Sequence, residues 1–324
     1  MAKIIGLGNA LVDIIVFLES DALLVDLGLP KGSMQLVDIE KSGLIRKACE
    51  HLPSSFAGGG SAANTIHGIA RLGVEASFIG KIGQDDYGKI FRDDLIKSNI
   101  RPILLNSLTH SGRAVALISP DSERTFATHL GAAIEMTIEE LLPEHFEGHS
   151  IFHIEGYIVQ NNALLETAVR LAKSHGMLVS IDLASYNVVE ENLDFLKRIV
   201  KEYVDIVFAN EEEARSFTGM PPLEALDELA RLAGIAVVKI GREGSLVKSG
   251  EERYNIPAIR ATVIDTNGAG DIYAAGFLYG LSQGWTLDRC GRAGALLAGK
   301  IIEQSGARLK DETWEEVIPL LRSI

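Results

Sequence analysis

A chain of 324 residues with 47% hydrophobic and 23% charged residues can build a sizeable core and stay in solution, which excludes a disordered or fibrous polymer. A formal net charge of -13 with no Lys/Arg-rich block excludes a nucleic-acid-binding surface, so a polyanionic ligand has to be met by local positive features. Cys49 and Cys290 have neither metal-ligand spacing nor a disulfide framework and no apolar run reaches membrane-spanning length; the expectation is a cytoplasmic protein that binds no nucleic acid and no membrane.

Residues 1–8 read as a short apolar strand rather than a signal peptide. Gly6-Leu7-Gly8-Asn9-Ala10-Leu11 begins like a dinucleotide fingerprint. Leu11, however, stands at its third glycine position and a strand-like run follows, which demotes a nicotinamide-dependent oxidoreductase. Asp13 lies inside the apolar stretch 11–17, where an ionised carboxylate needs partners. Paired sugar hydroxyls would serve, and an edge position facing water is the alternative. Residues 12–18 and 33–37, with 103–105, 113–117 and 124–130 later, look like strands with no long helix between them. They are expected to form a small antiparallel sheet lying over the site as a lid, or else a peripheral layer.

Ala57-Gly58-Gly59-Gly60-Ser61-Ala62-Ala63-Asn64 precedes residues 65–72 in helical rhythm. Three adjacent glycines let a ligand lie against the peptide plane, and Asn64 in the following helix can donate and accept hydrogen bonds. That suits a hydroxylated substrate; a flexible turn is the alternative. Residues 83–89 have the spacing of a phosphate-binding P-loop, but Ile90 stands where Ser or Thr should ligate magnesium and Asp85 and Asp86 would repel phosphates. They read as a turn entering a helix.

Residues 74–82, 150–154, 177–183, 204–209 and 235–240 read as strands, and 87–98, 162–175, 190–202 and 222–233 as helices. The alternation predicts an α/β fold with a mostly parallel sheet covered on both faces and ligands at the carboxyl ends of its strands. With no repeat or linker, a single domain over 1–324 is expected, its lid strands drawn from roughly 12–37 and 101–130.

Asn210-Glu211-Glu212-Glu213 follows a strand. It is a solvated helix start or, at the carboxyl edge of a parallel sheet, a place where Asn210 and Glu213 hold water around Mg2+. Lys239-Ile240-Gly241-Arg242-Glu243-Gly244 runs from strand to turn and can pass beneath a nucleotide's phosphates, with Lys239 or Arg242 adding positive charge. Asp265-Thr266-Asn267-Gly268-Ala269-Gly270-Asp271 sets small residues at the mouth of an Ala-rich, buried helix, where unpaired N–H groups and the positive dipole end receive an anion. The charge of Asp271 cannot favour that anion, so it reads as a general base; an ordinary capped helix start is the alternative.

Together these segments resemble the ribokinase-like family of carbohydrate and nucleoside kinases, also called the PfkB family. The glycine cluster with Asn64 looks like its first signature, 265–271 with Ala275-Gly276-Phe277 like its second, and 210–213 like its NxxE motif, in the expected order. The resemblance implies a three-layer α/β/α fold with a small β lid, and transfer of the γ-phosphate of ATP, with Mg2+, to a hydroxyl. It implies Asp271 as catalytic base and the N–H groups of Gly268, Ala269 and Gly270 as an anion hole. Asn210 and Glu213 would order magnesium, and Lys239, Gly241 and Gly244 would line the nucleotide side. Asp13, Gly60 and Asn64 would bind substrate hydroxyls, with Asn9 and Gly59 nearby, and Arg124 is similar to a family arginine that reaches the phosphates on lid closure. Residues 8–13, 29–34 and Asn267 look most similar to adenosine kinases, which implies a nucleoside acceptor, Asn267 at a purine edge and Tyr157 as a stacking partner. A free sugar acceptor and a non-catalytic ligand-binding relative are the alternatives. A monovalent cation such as K+ near Asp265 and Thr266, and a monomer or homodimer, stay open.

Overall fold

The computed structural model describes residues 2–121 and 123–324. Its strands among these are β1 (Ile4–Leu7), β2 (Leu11–Phe17), β3 (Met34–Leu36), β4 (Ser54–Gly59), β5 (Ala76–Gly83), β6 (Ile100–Ser107), β7 (Gly112–Ile118), β8 (Arg124–His129), β9 (Ile151–Glu155), β10 (Leu178–Asp182), β11 (Ile206–Asn210), β12 (Ile235–Lys239), β13 (Ser245–Ser249) and β14 (Glu252–Ile256). A nine-stranded sheet runs β14-β13-β12-β11-β10-β9-β1-β5-β6, and a five-stranded sheet runs β3-β8-β7-β2-β4. In the large sheet every pair from β12 to β6 is parallel, while β13 and β14 close one edge as antiparallel strands.

The continuous apolar runs of the central strands follow from burial on both faces. Ile4, Ile206, Phe208 and Val237 point into a core with helices Ser61–Arg71, Asp86–Lys97, Ala269–Ser282 and Leu287–Ile301. Their neighbours Ile5, Val207, Ala209 and Val238 point into a second core with Asn162–Ser174, Leu193–Tyr203 and Pro222–Ala233. The result is three layers, as the alternation predicts. The helix expected at 190–202 breaks at Asn192 into Tyr186–Glu191 and Leu193–Tyr203. The P-loop look-alike is a capped turn: Asp85 accepts the Gly88 N–H at 2.9 Å and opens Asp86–Lys97.

Helix Ala269–Ser282 is Ala- and Gly-rich because it is hemmed in by two other helices. A Cβ on Gly68 would come within 2.7 Å of the Ala275 Cβ, and one on Gly276 within 2.8 Å of the Ala293 backbone. Larger side chains at these positions would force the helices apart.

The small sheet corrects two expectations. Residues 103–105 lie within β6, the parallel edge of the large sheet, and not in the lid. They follow helix Asp86–Lys97, so β5, helix and β6 form a crossover unit, which requires parallel pairing. The lid takes β4 instead, the segment leading into the glycine cluster. It is also mixed rather than antiparallel: β2–β7 and β3–β8 are parallel, β2–β4 and β7–β8 antiparallel. Among the described residues no helix is long and apolar enough to cross a membrane.

Candidate active site

Adjacent strands β9, β10, β11 and β12 end on Glu155, Asp182, Asn210 and Lys239, so four polar residues line the carboxyl edge of the sheet. Lys239 Nζ donates to Asp182 Oδ2 at 2.8 Å. Asn210 donates its N–H and Nδ2 to the Glu213 carboxylate at 2.8 and 2.7 Å and accepts the Glu213 N–H at 2.9 Å, a capping box that opens helix Glu211–Thr218. Burial pushes Glu213 up to about 7; Asp182 adds to the rise and Lys239 opposes it. Burial alone would pull the Lys239 ammonium down, but Asp182 and Glu213 outweigh it and the group is raised. Two carboxylates around one ammonium leave an excess of negative charge at this edge.

Helix Ala269–Ser282 starts from Gly268, whose φ of 74° is left-handed. The Ala269 N–H turns back to the Thr266 carbonyl at 3.2 Å, while the N–H groups of Gly268, Gly270 and Asp271 have no partner among the described residues. Of the three N–H groups expected to form an anion hole, those of Gly268 and Gly270 are unpaired and that of Ala269 is paired, and the Asp271 N–H is unpaired beside them. A Cβ at Gly270 would lie 3.0 Å from Lys239 Nζ, so the ammonium sits against the helix mouth. The Asp271 carboxylate accepts Ser61 Oγ at 2.7 Å and Asn64 Nδ2 at 3.0 Å. Burial raises it to about 6, against the pull of those two hydrogen bonds. Residues 267–271 are only partly buried, so the mouth is reachable from solvent.

In the glycine cluster each glycine admits a different close approach. A Cβ on Gly59 would overlap the Asp13 carboxylate, one on Gly60 would run into the Asn9 carbonyl, and one on Gly58 would meet the ion pair of Arg308 with Asp94. Burial pushes Asp13 up to about 6; Arg308 opposes the rise, and Asp271 and Asp94 add to it. Asn9, expected near the substrate, is only 5% exposed and is committed elsewhere. Its N–H and Nδ2 donate to Glu155 Oε1 at 2.9 and 2.8 Å, and Glu155 Oε2 accepts the Ala62 N–H at 2.9 Å. Burial holds Glu155 up at about 7 despite these donors. Asn9 thus braces the wall.

Arg124 on β8 crosses from the lid to the core. Its Nη2 lies 2.7 Å from both Asp265 Oδ2 and Ser305 Oγ, and its Nη1 is buried with no hydrogen-bond partner among the described residues. Asp265 also accepts the backbone N–H groups of Asn267 at 3.0 Å and Gly306 at 2.7 Å. Gly241 and Gly244 shape the turn after Lys239, with φ of 55° and 103°. Tyr157 is partly buried, its hydroxyl 3.5 Å from the Ala184 carbonyl.

Sequence reasoning missed Ser61, Asp94, Glu155, Asp182 and Arg308. A polar residue ending an apolar strand run was a usable signal for Glu155 and Asp182, and Ser61 stood inside the glycine cluster. Asp94 and Arg308 carry no local signal.

The pfkB family carbohydrate kinase domain matches residues 52–314. A crystal structure of a probable sugar kinase from Rhizobium etli CFN 42 aligns at 33% identity over 98% of both chains with a TM-score of 0.88. Adenosine kinase from Sinorhizobium meliloti aligns at 32% identity over 99% of both chains with a TM-score of 0.87. A nucleoside kinase of Methanocaldococcus jannaschii is 30% identical over 269 residues, 81% of this chain and 85% of its own. The similarity runs through both signature segments and the sheet between them, and the chain belongs to the PfkB family of carbohydrate kinases, phosphotransferases with an alcohol group as acceptor.

Proposed function

We propose that the protein transfers the γ-phosphate of ATP to a primary hydroxyl of an adenosine-like nucleoside, with Asp271 as the general base. The observation that carries this reading is a half-buried carboxylate at an open helix mouth, lifted to about 6 and held by Ser61 and Asn64. A base with a pKa near the operating pH is suited to take the proton of the attacking hydroxyl. The free amides of Gly268, Gly270 and Asp271, with Lys239 beside them, receive the phosphoryl oxygens. The unpaired Nη1 of Arg124 supports its role on the phosphates. Gly241 and Gly244 keep the turn after Lys239 low along the nucleotide.

Among the described residues no three His, Cys, Asp or Glu side chains are grouped to hold a metal. The excess carboxylate charge of Glu213 and Asp182 fits a Mg2+ that keeps most of its waters, held through them by Asn210 and Glu213. When bound, Mg2+ neutralises charge on the β- and γ-phosphates. A monovalent cation at Asp265 would share the carboxylate with Arg124.

The nucleoside is favoured by the cleft face of the lid. Asp13 and Ile15 share one face of β2, and register places Ala116, Phe126 and Met34 alongside Ile15. Phe17, Met34 and Leu36 on that face are 52%, 56% and 60% exposed. A polar ribose at Asp13 and a flat base on this apolar surface would match it, with Asn267 and Tyr157 reading the base and Gly59, Gly60 and Asn64 the ribose. A free sugar is the second reading, supported by the likeness to the R. etli protein. The test is ADP release with MgATP against adenosine, other nucleosides, ribose, fructose and a keto-deoxy acid. Turnover with adenosine or a close analogue is expected. Turnover with sugars alone would move the acceptor to that class, and none with any alcohol would overturn the reading.

A further inference from the structure

Arg308 lies between helices Leu287–Ile301 and Asp311–Ser323, 244 positions beyond Asn64, yet it reaches the acceptor side of the cleft. Its Nη1 pairs with Asp94 on helix Asp86–Lys97, and its Nε–H donates to Asn64 Oδ1 at 3.3 Å. Its Nη2 is buried without a hydrogen-bond partner among the described residues. Gly58 leaves the space, since a Cβ there would lie 3.1 Å from Nη2.

The bond to Asn64 has a consequence for the base. An amide has one accepting and one donating end. With Arg308 on Oδ1, Nδ2 is left for Asp271, and it donates to Oδ2 at 3.0 Å. The flipped amide would set an N–H against the guanidinium and an oxygen against the carboxylate. Arg308 thereby fixes which way Asn64 faces.

The unpaired Nη2 has a consequence for the substrate. Buried donors of charged groups are ordinarily satisfied, and the neighbouring hydroxyl-binding group, Asp13, offers only acceptor oxygens when ionised. A hydroxyl that donates to Asp13 still has lone pairs to fill.

We propose that Arg308 is a positioning and specificity residue of the acceptor pocket: through Asn64 it aims Asp271, and its Nη2–H donates to a ring-hydroxyl oxygen of the acceptor whose proton is given to Asp13. This rests on the kinase reading above. The acceptor class it selects is a pentose-bearing molecule with that hydroxyl in place, against its deoxy counterpart.

The test compares the active acceptor with its monodeoxy analogues in the wild type, Arg308→Lys and Arg308→Gln, with thermal unfolding and the KM for ATP as checks on the fold. In both variants kcat/KM for the full acceptor falls at least about tenfold, the loss of a charge-assisted hydrogen bond. One deoxy analogue loses far less, so discrimination between the two collapses. The charged groups facing Asp13 are Arg308, Asp94 and Asp271. Losing the guanidinium in Arg308→Gln moves the acid limb of kcat/KM to higher pH, while Arg308→Lys leaves it in place. Should Arg308→Gln fail to fold because Asp94 is stranded, Asp94→Asn with Arg308→Gln removes the pair together and is read for discrimination in the same way. Folded variants that discriminate as the wild type does overturn the role of Arg308 alone. A wild-type protein that phosphorylates no acceptor overturns the kinase reading and this role together.

Discussion

The role proposed for Asp271 conflicts with the stability of the fold. Burial lifts it to about 6 from an ordinary value of 3.8, which suits a base but disfavours the ionised form in the folded protein. A carboxyl whose folded pKa is raised adds stability below its unfolded pKa, and that contribution is lost as pH rises through about 6. Asp271→Asn is therefore expected to raise Tm, and to raise it more at pH 8 than at pH 5; thermal melts at the two pH values check this, and an equal shift would contradict it. Asp13 is lifted to about 6 as well. In the proposed mechanism both carboxylates act ionised, so kcat/KM for the acceptor should fall as pH drops through about 6, more steeply than for one proton, because the two groups titrate together. Asp13→Ala should weaken acceptor binding about tenfold or more, through loss of charged hydrogen bonds, while ATP affinity stays put. Calorimetric titration of each ligand separates these, and unchanged acceptor affinity would remove Asp13 from the pocket.

At the scale of elements, the site is assembled from a sheet edge, two helix starts and a lid. One polar link between lid and core is Arg124 on β8, which pairs with Asp265 and Ser305. Arg124→Ala should loosen closure, admit water and lower kcat, so that ADP released without acceptor rises relative to ADP released with it. A variant with the same ratio as the wild type would show that the pair plays no part in closure. How much of this was legible depends on how local the cause is. Helix Pro222–Ala233 was readable to the residue because proline opens it and Gly234, with φ of 84°, ends it. The helix mouth at 268–271 was readable from its small residues, but the withdrawal of the Ala269 amide was not, since it depends on the turn that Gly268 makes. β6 was misplaced because a short apolar run does not announce its partner; only the crossover from β5 does. Lys239 and Asn210 drew notice in the sequence because glycines follow the one and carboxylates the other. Glu155 and Asp182 end their strands just as bluntly and were passed over. Arg308 was beyond reach, because its meaning lies in residues brought to it by the fold.

On the scale of the whole molecule, an acidic chain of net charge -13 gathers Lys239, Arg124 and Arg308 around one cleft. Each is matched by a carboxylate: Asp182, Asp265 and Asp94. The arrangement keeps three cations half-buried at neutral pH, with Arg124 Nη1 and Arg308 Nη2 left without a hydrogen-bond partner among the described residues. The family match takes in the glycine cluster and the helix mouth, and the proposed chemistry rests on one proton transfer between them. The most direct test is a single turnover with labelled ATP and the active acceptor, wild type beside Asp271→Asn, with both ligands saturating. Equal binding and a transfer rate lower by about 10²–10⁴ in the variant is the expected result. Transfer at the wild-type rate would mean that another group takes the proton.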